Sequence, residues 1–269
     1  MRFILAAAAL ALAVTVFTGC GRIADKRNEH KPSPSADLTY LSERGRIIIG
    51  VTDFAPIDLP KDGTWEGFDA ELAVLFAESL GIAAEFREID WDRKTELLET
   101  GDIDLIWNGM TRTEELAEKI TCSEPYLLNA QVIVMQKSDF EKYTSEKECS
   151  HLLFACENGS AAEALLTEKK YRIIGCGSQK NALSAVSEGR TDAAAVDMIM
   201  AAHMTSSGGE FPDLSFAYPM DEEQICVGMR KGSALEEKVN AFLGEKTADG
   251  TLARIAEKYG LGEALAVQQ

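Results

Sequence analysis

Residues able to contact a small molecule occur directly after the predicted β-strands of this chain. They are Phe54, Trp91, Asn108, Gly109, Met110, Thr111 and Arg112 in the first half, and Ser160, Ala161 and Asp197 in the second. Ligands of open α/β sheets bind beyond the carboxyl ends of the strands, so a site would form at these positions. Aromatic rings can clamp the body of a ligand, and an isolated carboxylate such as Asp197 suits an ammonium group.

Two glycine turns, 158–160 and 177–179, lead into predicted helices. Such turns expose backbone N–H groups that suit a carboxylate or another anion. An anion site that faces a carboxylate and aromatic rings favours a zwitterionic ligand. The same residues also have structural interpretations, since Phe54 and Trp91 could pack in the core and Asp197 could cap the following helix.

Short apolar runs alternate with stretches of helical periodicity, which predicts parallel strands joined by right-handed helical crossovers. The predicted strands are 46–51, 84–89, 103–107, 131–135, 152–156, 172–175, 191–196 and 224–230. The predicted helices are 68–80, 93–99, 161–169, 181–188, 235–242 and 251–259. Because the pattern restarts near residue 131, we expect an α/β protein with two lobes.

The composition excludes several functional classes. The formal net charge of −17 would repel phosphate, so a sequence-independent nucleic-acid binder is excluded. The three histidines are scattered and no CxxC pair occurs, so we predict no metal site and no cofactor. The chain is expected to be a monomer.

The first residues resemble the leader of a bacterial lipoprotein. An apolar stretch at 3–17 follows Met1-Arg2, and it is too short for a comfortable membrane span but suits a signal peptide. Its end, Phe17-Thr18-Gly19-Cys20, resembles a lipobox, which implies a signal peptide at 1–19 and lipidation of Cys20. The polar segment 20–37 is then a flexible tether to the membrane, and the protein is extracytoplasmic. The alternatives are an uncleaved N-terminal anchor and a cleaved signal peptide without lipidation.

The chain has five further cysteines, an odd number that cannot all pair with one another. They are Cys122, Cys149, Cys156, Cys176 and Cys226. Cys156 and Cys176 end two predicted strands and could form a disulfide if those strands are neighbours. Otherwise both are small buried apolar residues.

Longer stretches of the chain resemble the extracytoplasmic solute-binding proteins of ABC importers, in the branch that binds polar amino acids (bacterial solute-binding protein family 3). The matching stretches lie within 44–260 and include GVTDFAPID, TWEGFDAELAVLFAESLG, EIDWDRKTELLETGDIDLIWNGMTRT, SEPYLLNAQVIVM and VGMRKGSALEEKVN. The resemblance implies the type II periplasmic-binding-protein fold, in which two mostly parallel α/β lobes are joined by two crossing strands and close about a hinge. The expected lobes are 38–130 with 224–269, and 131–223.

The resemblance also implies roles for the site residues. Phe54 and Trp91 correspond to the aromatic pair that packs against the ligand side chain. Asn108, Gly109 and Thr111 correspond to residues that bond its amino and carboxylate groups. Ser160-Ala161 correspond to the turn that meets the carboxylate, and Asp197 to the acid that holds the α-amino group.

One departure from the family pattern concerns the ligand carboxylate. The usual run Thr-x-Thr-x-Glu-Arg supplies an arginine for it, but here the run ends in Leu116. A bidentate arginine would contribute charge-assisted bonds of about 1.5–3 kcal/mol. Arg112 is the proposed substitute, and the alternative is that Arg112 points to solvent.

The sequence therefore predicts a non-enzymatic, lipid-anchored protein that captures an amino acid and delivers it to an ABC permease. The alternative is an enzyme on the same fold, a dehydratase of the cyclohexadienyl type that acts on a cyclic amino-acid precursor. Such an enzyme would need a general acid or base in the cleft, for which Glu157 or Asp53 could serve.

Overall fold

The computed structural model describes residues 33–143 and 145–266. The predicted signal peptide, Cys20 and the tether as far as residue 32 lie outside the described residues. The last part of the predicted tether forms a 3₁₀-helix, Pro34–Ala36, and the first α-helix begins at Asp37.

The strands and helices alternate as an α/β protein requires. The strands are β1 Arg46–Val51, β2 Leu59–Lys61, β3 Thr64–Glu66, β4 Ala83–Glu88, β5 Leu105–Thr111, β6 Thr121–Cys122, β7 Leu127–Gln136, β8 Leu153–Glu157, β9 Arg172–Cys176, β10 Ala193–Asp197 and β11 Leu214–Met229. The helices are α1 Asp37–Arg44, α2 Phe68–Ser79, α3 Lys94–Thr100, α4 Glu114–Lys119, α5 Lys137–Phe140, α6 Ala161–Glu168, α7 Gln179–Ser187, α8 Met198–Met204, α9 Leu235–Ala248 and α10 Thr251–Lys258. Further 3₁₀-helices are Trp91–Arg93, Glu146–His151 and Gly262–Ala264.

Nine strands form one sheet in the order β4-β1-β5-β11-β7-β10-β8-β9, with β6 paired to β11. β1 lies parallel to both β4 and β5, and β8 lies parallel to both β9 and β10. The predicted parallel pairing is therefore confirmed at both ends of the sheet. We call the part around β4, β1 and β5 lobe I, and the part around β10, β8 and β9 lobe II.

Two long antiparallel strands join the lobes at the middle of the sheet. β11 pairs with β5 of lobe I through Met229↔Leu105, and β7 pairs with β10 of lobe II through Val132↔Val196. β7 and β11 also pair with each other along most of their length. Both connections between the lobes are therefore β-strands that are hydrogen-bonded to each other and to a neighbouring strand of the sheet.

The core of lobe I is formed by apolar faces of α2, β5 and α9. Trp107 is fully buried, with its ring 5.7 Å from that of Phe76 and 6.1 Å from that of Phe242. Aromatic pairs at these distances add favourable edge-to-face contacts to the burial of their area. The C-terminal helix α9 therefore packs into lobe I, although it follows lobe II in the chain.

The start of α2 depends on one glycine. Gly67 has φ +135°, and a Cβ atom there would meet the backbone of Ile57 and Asp58. Glycine permits both this backbone conformation and this close approach, so α2 can begin at Phe68. No helix among the described residues has both the length and the apolar character needed to cross a membrane.

One predicted boundary is wrong in a way that affects the site. The sequence predicts a strand at 103–107 that ends before Asn108. In the structure β5 continues to Thr111, because Met110 and Thr111 pair with Cys226 and Ile225 of β11. The residues Asn108 to Thr111 are therefore part of a rigid strand.

Candidate functional site

A cavity of about 630 Å³ is lined by residues of both lobes. Nine of the ten predicted site residues line it: Phe54, Trp91, Asn108, Gly109, Met110, Thr111, Ser160, Ala161 and Asp197. The cavity falls within the size range of small-molecule sites. The strand ends of the two halves of the chain thus meet at one place.

Arg112 is the predicted residue that the structure does not bring to the cavity. Thr111, the last residue of β5, lines the cavity, whereas the next residue, Arg112, is exposed and does not line it. The Arg112 charge acts instead on the thiols of Cys122 and Cys226, where it favours the thiolate form. The exposed position of Arg112 agrees with the alternative that this side chain points to solvent.

Asn108 is held by bonds within lobe I. Its side-chain oxygen accepts hydrogen bonds from the backbone N–H (3.0 Å) and the hydroxyl (2.7 Å) of Thr52. Its amide group donates to the Thr52 carbonyl at 3.1 Å and to Asp58 Oδ2 at 2.6 Å. Because these bonds use both ends of the amide, Asn108 shapes the floor of the cavity by holding β1 against β5.

Gly109 allows Phe54 to lie against β5. Its φ is +57°, and a Cβ atom at this position would collide with the Phe54 ring. Its N–H donates to Asp69 Oδ2 at 2.7 Å, and the Tyr126 hydroxyl donates to the same oxygen at 2.7 Å. Gly109 thus supplies close packing below the aromatic ring.

A pair of fully buried carboxyl groups, Asp58 and Asp69, lies beneath this floor. Burial raises the pKa of Asp69 to about 7, against hydrogen bonds from Tyr126 and Gly109 that lower it. Burial and the neighbouring Asp69 raise the pKa of Asp58 well above its ordinary value. At neutral pH the pair therefore carries less than its full negative charge.

Asp197 presents a carboxylate to the cavity from the end of β10. It accepts hydrogen bonds from the side-chain amides of Asn129, Gln131 and Gln179, and its own backbone N–H donates to Gln179 Oε1 at 2.9 Å. Its side chain makes no cap bond to α8, so the capping interpretation is not realised. Burial raises the pKa of Asp197 to about 6, and the three amides lower it. The amides hold the carboxylate ready to accept further hydrogen bonds.

The amides that hold Asp197 come from the crossing strand β7 and also reach β11. Asn129 and Gln131 donate to Glu223 Oε2 at 3.2 and 2.9 Å, and the Thr111 hydroxyl donates to the same oxygen at 3.1 Å. Burial and the charge of Asp197 raise the pKa of Glu223 to about 8. One hydrogen-bond network therefore joins lobe I, both crossing strands and lobe II.

A lysine that the sequence analysis did not select is buried between the lobes. Lys94, at the start of α3, is 8% exposed and lies over the Trp91 ring, with 4.6 Å between Nζ and the ring centroid. Its Nζ donates to the Trp91 carbonyl at 3.1 Å and to the Gly159 carbonyl of lobe II at 2.8 Å. Burial lowers the pKa of Lys94 to about 8.

Glu157, at the end of β8, is a second buried ionisable group of the cavity. It is 4% exposed and lines the cavity. Burial and the charge of Asp197 raise the pKa of Glu157 to about 8, while Lys94 lowers it. Asp53, the other acid considered for an enzyme, does not line the cavity, although the neighbouring Thr52 does.

The turn at Ser160 and Ala161 starts α6 and faces the cavity. Ser160 is the N-cap, and its hydroxyl accepts from the Glu163 N–H at 3.1 Å. Glu163 in turn accepts from the Gly159 N–H at 2.7 Å. The N–H of Ala161 is in the first turn, where no preceding carbonyl of the helix can accept it. The capped turn thus presents backbone donors to the cavity.

Leu116, at the position where the resemblance implies an arginine, also lines the cavity. Two lysines line it, Lys94 and Lys119, and the second pairs with Glu115 at 2.7 Å in an exposed position. The cationic side chains that line the cavity are therefore those of Lys94 and Lys119.

Each of the five cysteines in the described ranges has a free thiol. The strands carrying Cys156 and Cys176 are neighbours, as the disulfide hypothesis required, with Glu157 opposite Cys176. Both thiols are free, so the disulfide is not formed; Cys156 is buried as the alternative predicted, whereas Cys176 is partly exposed. Within residues 33–143 and 145–266, no group of three His, Cys, Asp or Glu side chains could hold a metal ion.

The sequence matches a family model over most of this fold. Residues 47–262 match the family described as bacterial extracellular solute-binding proteins, family 3. The chain belongs to this family. The resemblance inferred from the motifs around residues 68, 91 and 108 is thereby confirmed at the level of the family.

Two relatives show the functions found among similar chains. The ABC transporter glutamine-binding protein GlnH of Bacillus subtilis (strain 168) is 26% identical over 256 residues, covering 92% of this chain and 93% of that protein. Membrane-bound lytic murein transglycosylase F of Desulfosudis oleivorans is 26% identical over 233 residues, covering 82% of this chain. This chain spans only half the length of that transglycosylase. Most of the similar proteins are binding proteins, but the likeness extends to an enzyme.

The fold agrees with solved structures of this class. An ABC uptake transporter substrate-binding protein from Streptococcus pneumoniae with bound histidine superposes with a TM-score of 0.79 at 28% identity. The match covers 88% of this chain and all of that one. The predicted two-lobed periplasmic-binding-protein fold is therefore confirmed.

Proposed function

We propose that this chain is the substrate-binding component of an ABC importer, which captures an amino acid between its lobes and delivers it to a membrane permease. Family membership and the binding proteins among the relatives support this function. The observation that carries it is the Asp197 carboxylate, which three side-chain amides orient toward a cavity that also contains Phe54 and Trp91. A buried carboxylate with spare acceptor capacity suits an α-ammonium group.

Ligand screening tests the proposal. A ligand that binds only the native state raises the unfolding temperature, so the twenty L-amino acids and L-cystine can be compared by thermal shift. We expect at least one to raise the unfolding temperature of the unmodified chain, with binding confirmed by isothermal titration. The Asp197→Ala variant should lose this response. A flat screen of the unmodified chain would refute the function.

We propose that closure occurs between 38–130 with 224–269 as one body and 131–223 as the other. The support is that the chain passes between the lobes on β7 and β11, whose pairing is irregular between Ala217 and Asp221. Small-angle scattering should then show a smaller radius of gyration when an amino acid is added. An unchanged radius at saturating amino acid would contradict closure.

The proposal includes lipidation of Cys20 after removal of residues 1–19. The supporting pattern is Phe17-Thr18-Gly19-Cys20 after an apolar stretch, in a chain of an extracellular protein family. Expression in a bacterial host should yield protein in the membrane fraction, with an N-terminal diacylated cysteine in the mass spectrum. The Cys20→Ala variant should not be lipidated, and an unmodified Cys20 in the wild-type chain would exclude the anchor.

A dehydratase is the second candidate, because Glu157 has the properties of a general acid. Its pKa is raised to about 8, so it is largely protonated at neutral pH while it lines the cavity. A cyclohexadienyl carboxylic acid would be incubated with the unmodified chain and with Glu157→Gln. Turnover by the first and not by the second would favour the enzyme. Amino-acid binding without turnover favours the importer.

A further inference from the structure

The charge of the Lys94 ammonium group is not used by the bonds it makes within the protein. Its Nζ has three protons, and two of its partners are neutral carbonyl oxygens, those of Trp91 and Gly159. Among the described residues, no carboxylate forms an ion pair with Nζ. Glu157 and Asp92 affect the pKa of Lys94 only through longer-range electrostatic interactions. A buried cation is costly unless a counter-charge accompanies it.

The nearby acids leave most of this charge unneutralised. Glu157 is largely protonated at neutral pH, since its pKa is raised to about 8. Asp92 is exposed to solvent, which weakens its interaction with a buried group. Lys94 is therefore a buried cation of the cavity lining whose hydrogen-bond partners are neutral carbonyl groups.

Lys94 also lies beside the backbone donors of lobe II. The carbonyl that it binds belongs to Gly159, which directly precedes Ser160 and the start of α6. Ala161, in the first turn of that eight-residue helix, also lines the cavity, and its N–H has no acceptor within the helix. An anion bound at this turn would meet a lysine from lobe I and a helix N-terminus from lobe II.

We propose that Lys94 is the cation that binds the carboxylate group of the amino acid, in the place left by Leu116. The assignment rests on the proposed function, since every amino-acid ligand carries an α-carboxylate. It makes Lys94 a ligand-binding residue as well as a contact between the lobes. A carboxylate-binding role and a purely lobe-joining role predict different affinities when the carboxylate of the ligand is replaced by an amide.

The test compares acids with their carboxamides. Isothermal titration would measure L-arginine against L-argininamide, L-glutamine against L-glutaminamide and L-histidine against L-histidinamide. The unmodified chain should bind each free amino acid more tightly than its carboxamide. In Lys94→Met the preference should fall about tenfold or more, because the charge-assisted bond to the carboxylate is lost. Lys94→Arg should retain most of it.

Controls separate binding from closure and folding. If Lys94 only joined the lobes, Lys94→Met would weaken the acid and the amide by the same factor, and this result would overturn the assignment. Lys238→Met removes an exposed lysine that does not line the cavity and should leave the preference unchanged. Should Lys94→Met unfold below 37 °C, Lys94→Gln supplies the same comparison with a polar side chain.

A further comparison distinguishes the α-carboxylate from a side-chain carboxylate as the partner of Lys94. It also distinguishes failure of the Lys94 assignment from failure of the proposed function. A loss confined to L-glutamate relative to L-glutamine would assign Lys94 to a side-chain carboxylate, whereas a loss for all three acids assigns it to the α-carboxylate. If an acid binds and the preference persists in Lys94→Met, only the Lys94 assignment fails. If the unmodified chain binds none of the three acids, the assignment fails together with the proposed function for these ligands.

Discussion

Substituting Gly159 by alanine should prevent the lobes from meeting as they do here. Gly159 has φ +69°, and a Cβ atom on it would lie 2.7 Å from the Cα atom of Asp92 in lobe I. Ordinary contact begins at 3.4 Å, so the turn and Asp92 must separate by about 0.7 Å. The nearest atom belongs to the Asp92 backbone, which cannot move aside as the end of a flexible side chain can.

The same movement would break a bond between the lobes. The Lys94 ammonium group donates to the Gly159 carbonyl at 2.8 Å, and a shift of about 0.7 Å takes this distance beyond the usual range. Bonds from charged groups contribute about 1.5–3 kcal/mol. If an amino acid binds to the closed form, its affinity should fall by about 10- to 100-fold.

Gly189→Ala is the matched control. Gly189 has φ +71°, and a Cβ atom there would meet nothing within 4 Å. Both variants pay the cost of a left-handed alanine, about 1–2 kcal/mol, and both should lose about that much free energy of unfolding. Only Gly159→Ala should lose ligand affinity in isothermal titration and show a larger radius of gyration with amino acid present. Equal affinities for the two variants would refute the reasoning.

Three other predictions concern single side chains. Asp197→Asn should weaken amino-acid binding by about 10- to 100-fold, because the carboxylate that pairs with the α-ammonium is gone; an affinity within twofold of wild type, by titration, would contradict the assignment. The free energy of unfolding of the ligand-free chain should fall as the pH rises from about 4.5 to about 8, because the raised pKa of Glu157 makes the folded state bind more protons than the unfolded state in this window. Urea titrations at pH 5 and pH 8 measure the fall, which should be smaller in Glu157→Gln. Among the five described cysteines, Cys122 should react first with iodoacetamide, since its thiol is partly exposed and a hydrogen bond with Cys226 lowers its pKa; peptide mapping that finds another of these labelled first would contradict this order.

Local patterns in the sequence predicted the regular elements of this fold well. The strand at 46–51 and the start of α2 at Phe68 agree with the structure, because an apolar run and a helical period report burial directly. The C-terminal boundary of β5 could not be predicted in this way. It is set by pairing with β11, whose residues are more than a hundred positions away in the chain.

The site was predictable in outline because strand ends meet at one edge of an α/β sheet. The orientation of Arg112 was not, since it follows from the continuation of β5. Lys94 did leave a signal: with Leu97 and Leu98 it occupies positions i, i+3 and i+4 of a helix whose apolar face is buried. A lysine on such a face marks either a buried charge or a neighbouring cavity, and here it marks both.

The chain enters its folded part through lobe I. Asp37, the first residue of α1, is buried and accepts hydrogen bonds from Arg230 and from the Ser233 hydroxyl, the latter at 2.5 Å. Arg230 and Ser233 follow β11, which ends at Met229. A pull on the N-terminal segment would therefore be transmitted to lobe I and to the crossing strand. If the chain is anchored through that segment and the lobes close as proposed, lobe I would stay fixed relative to the anchor and lobe II would move.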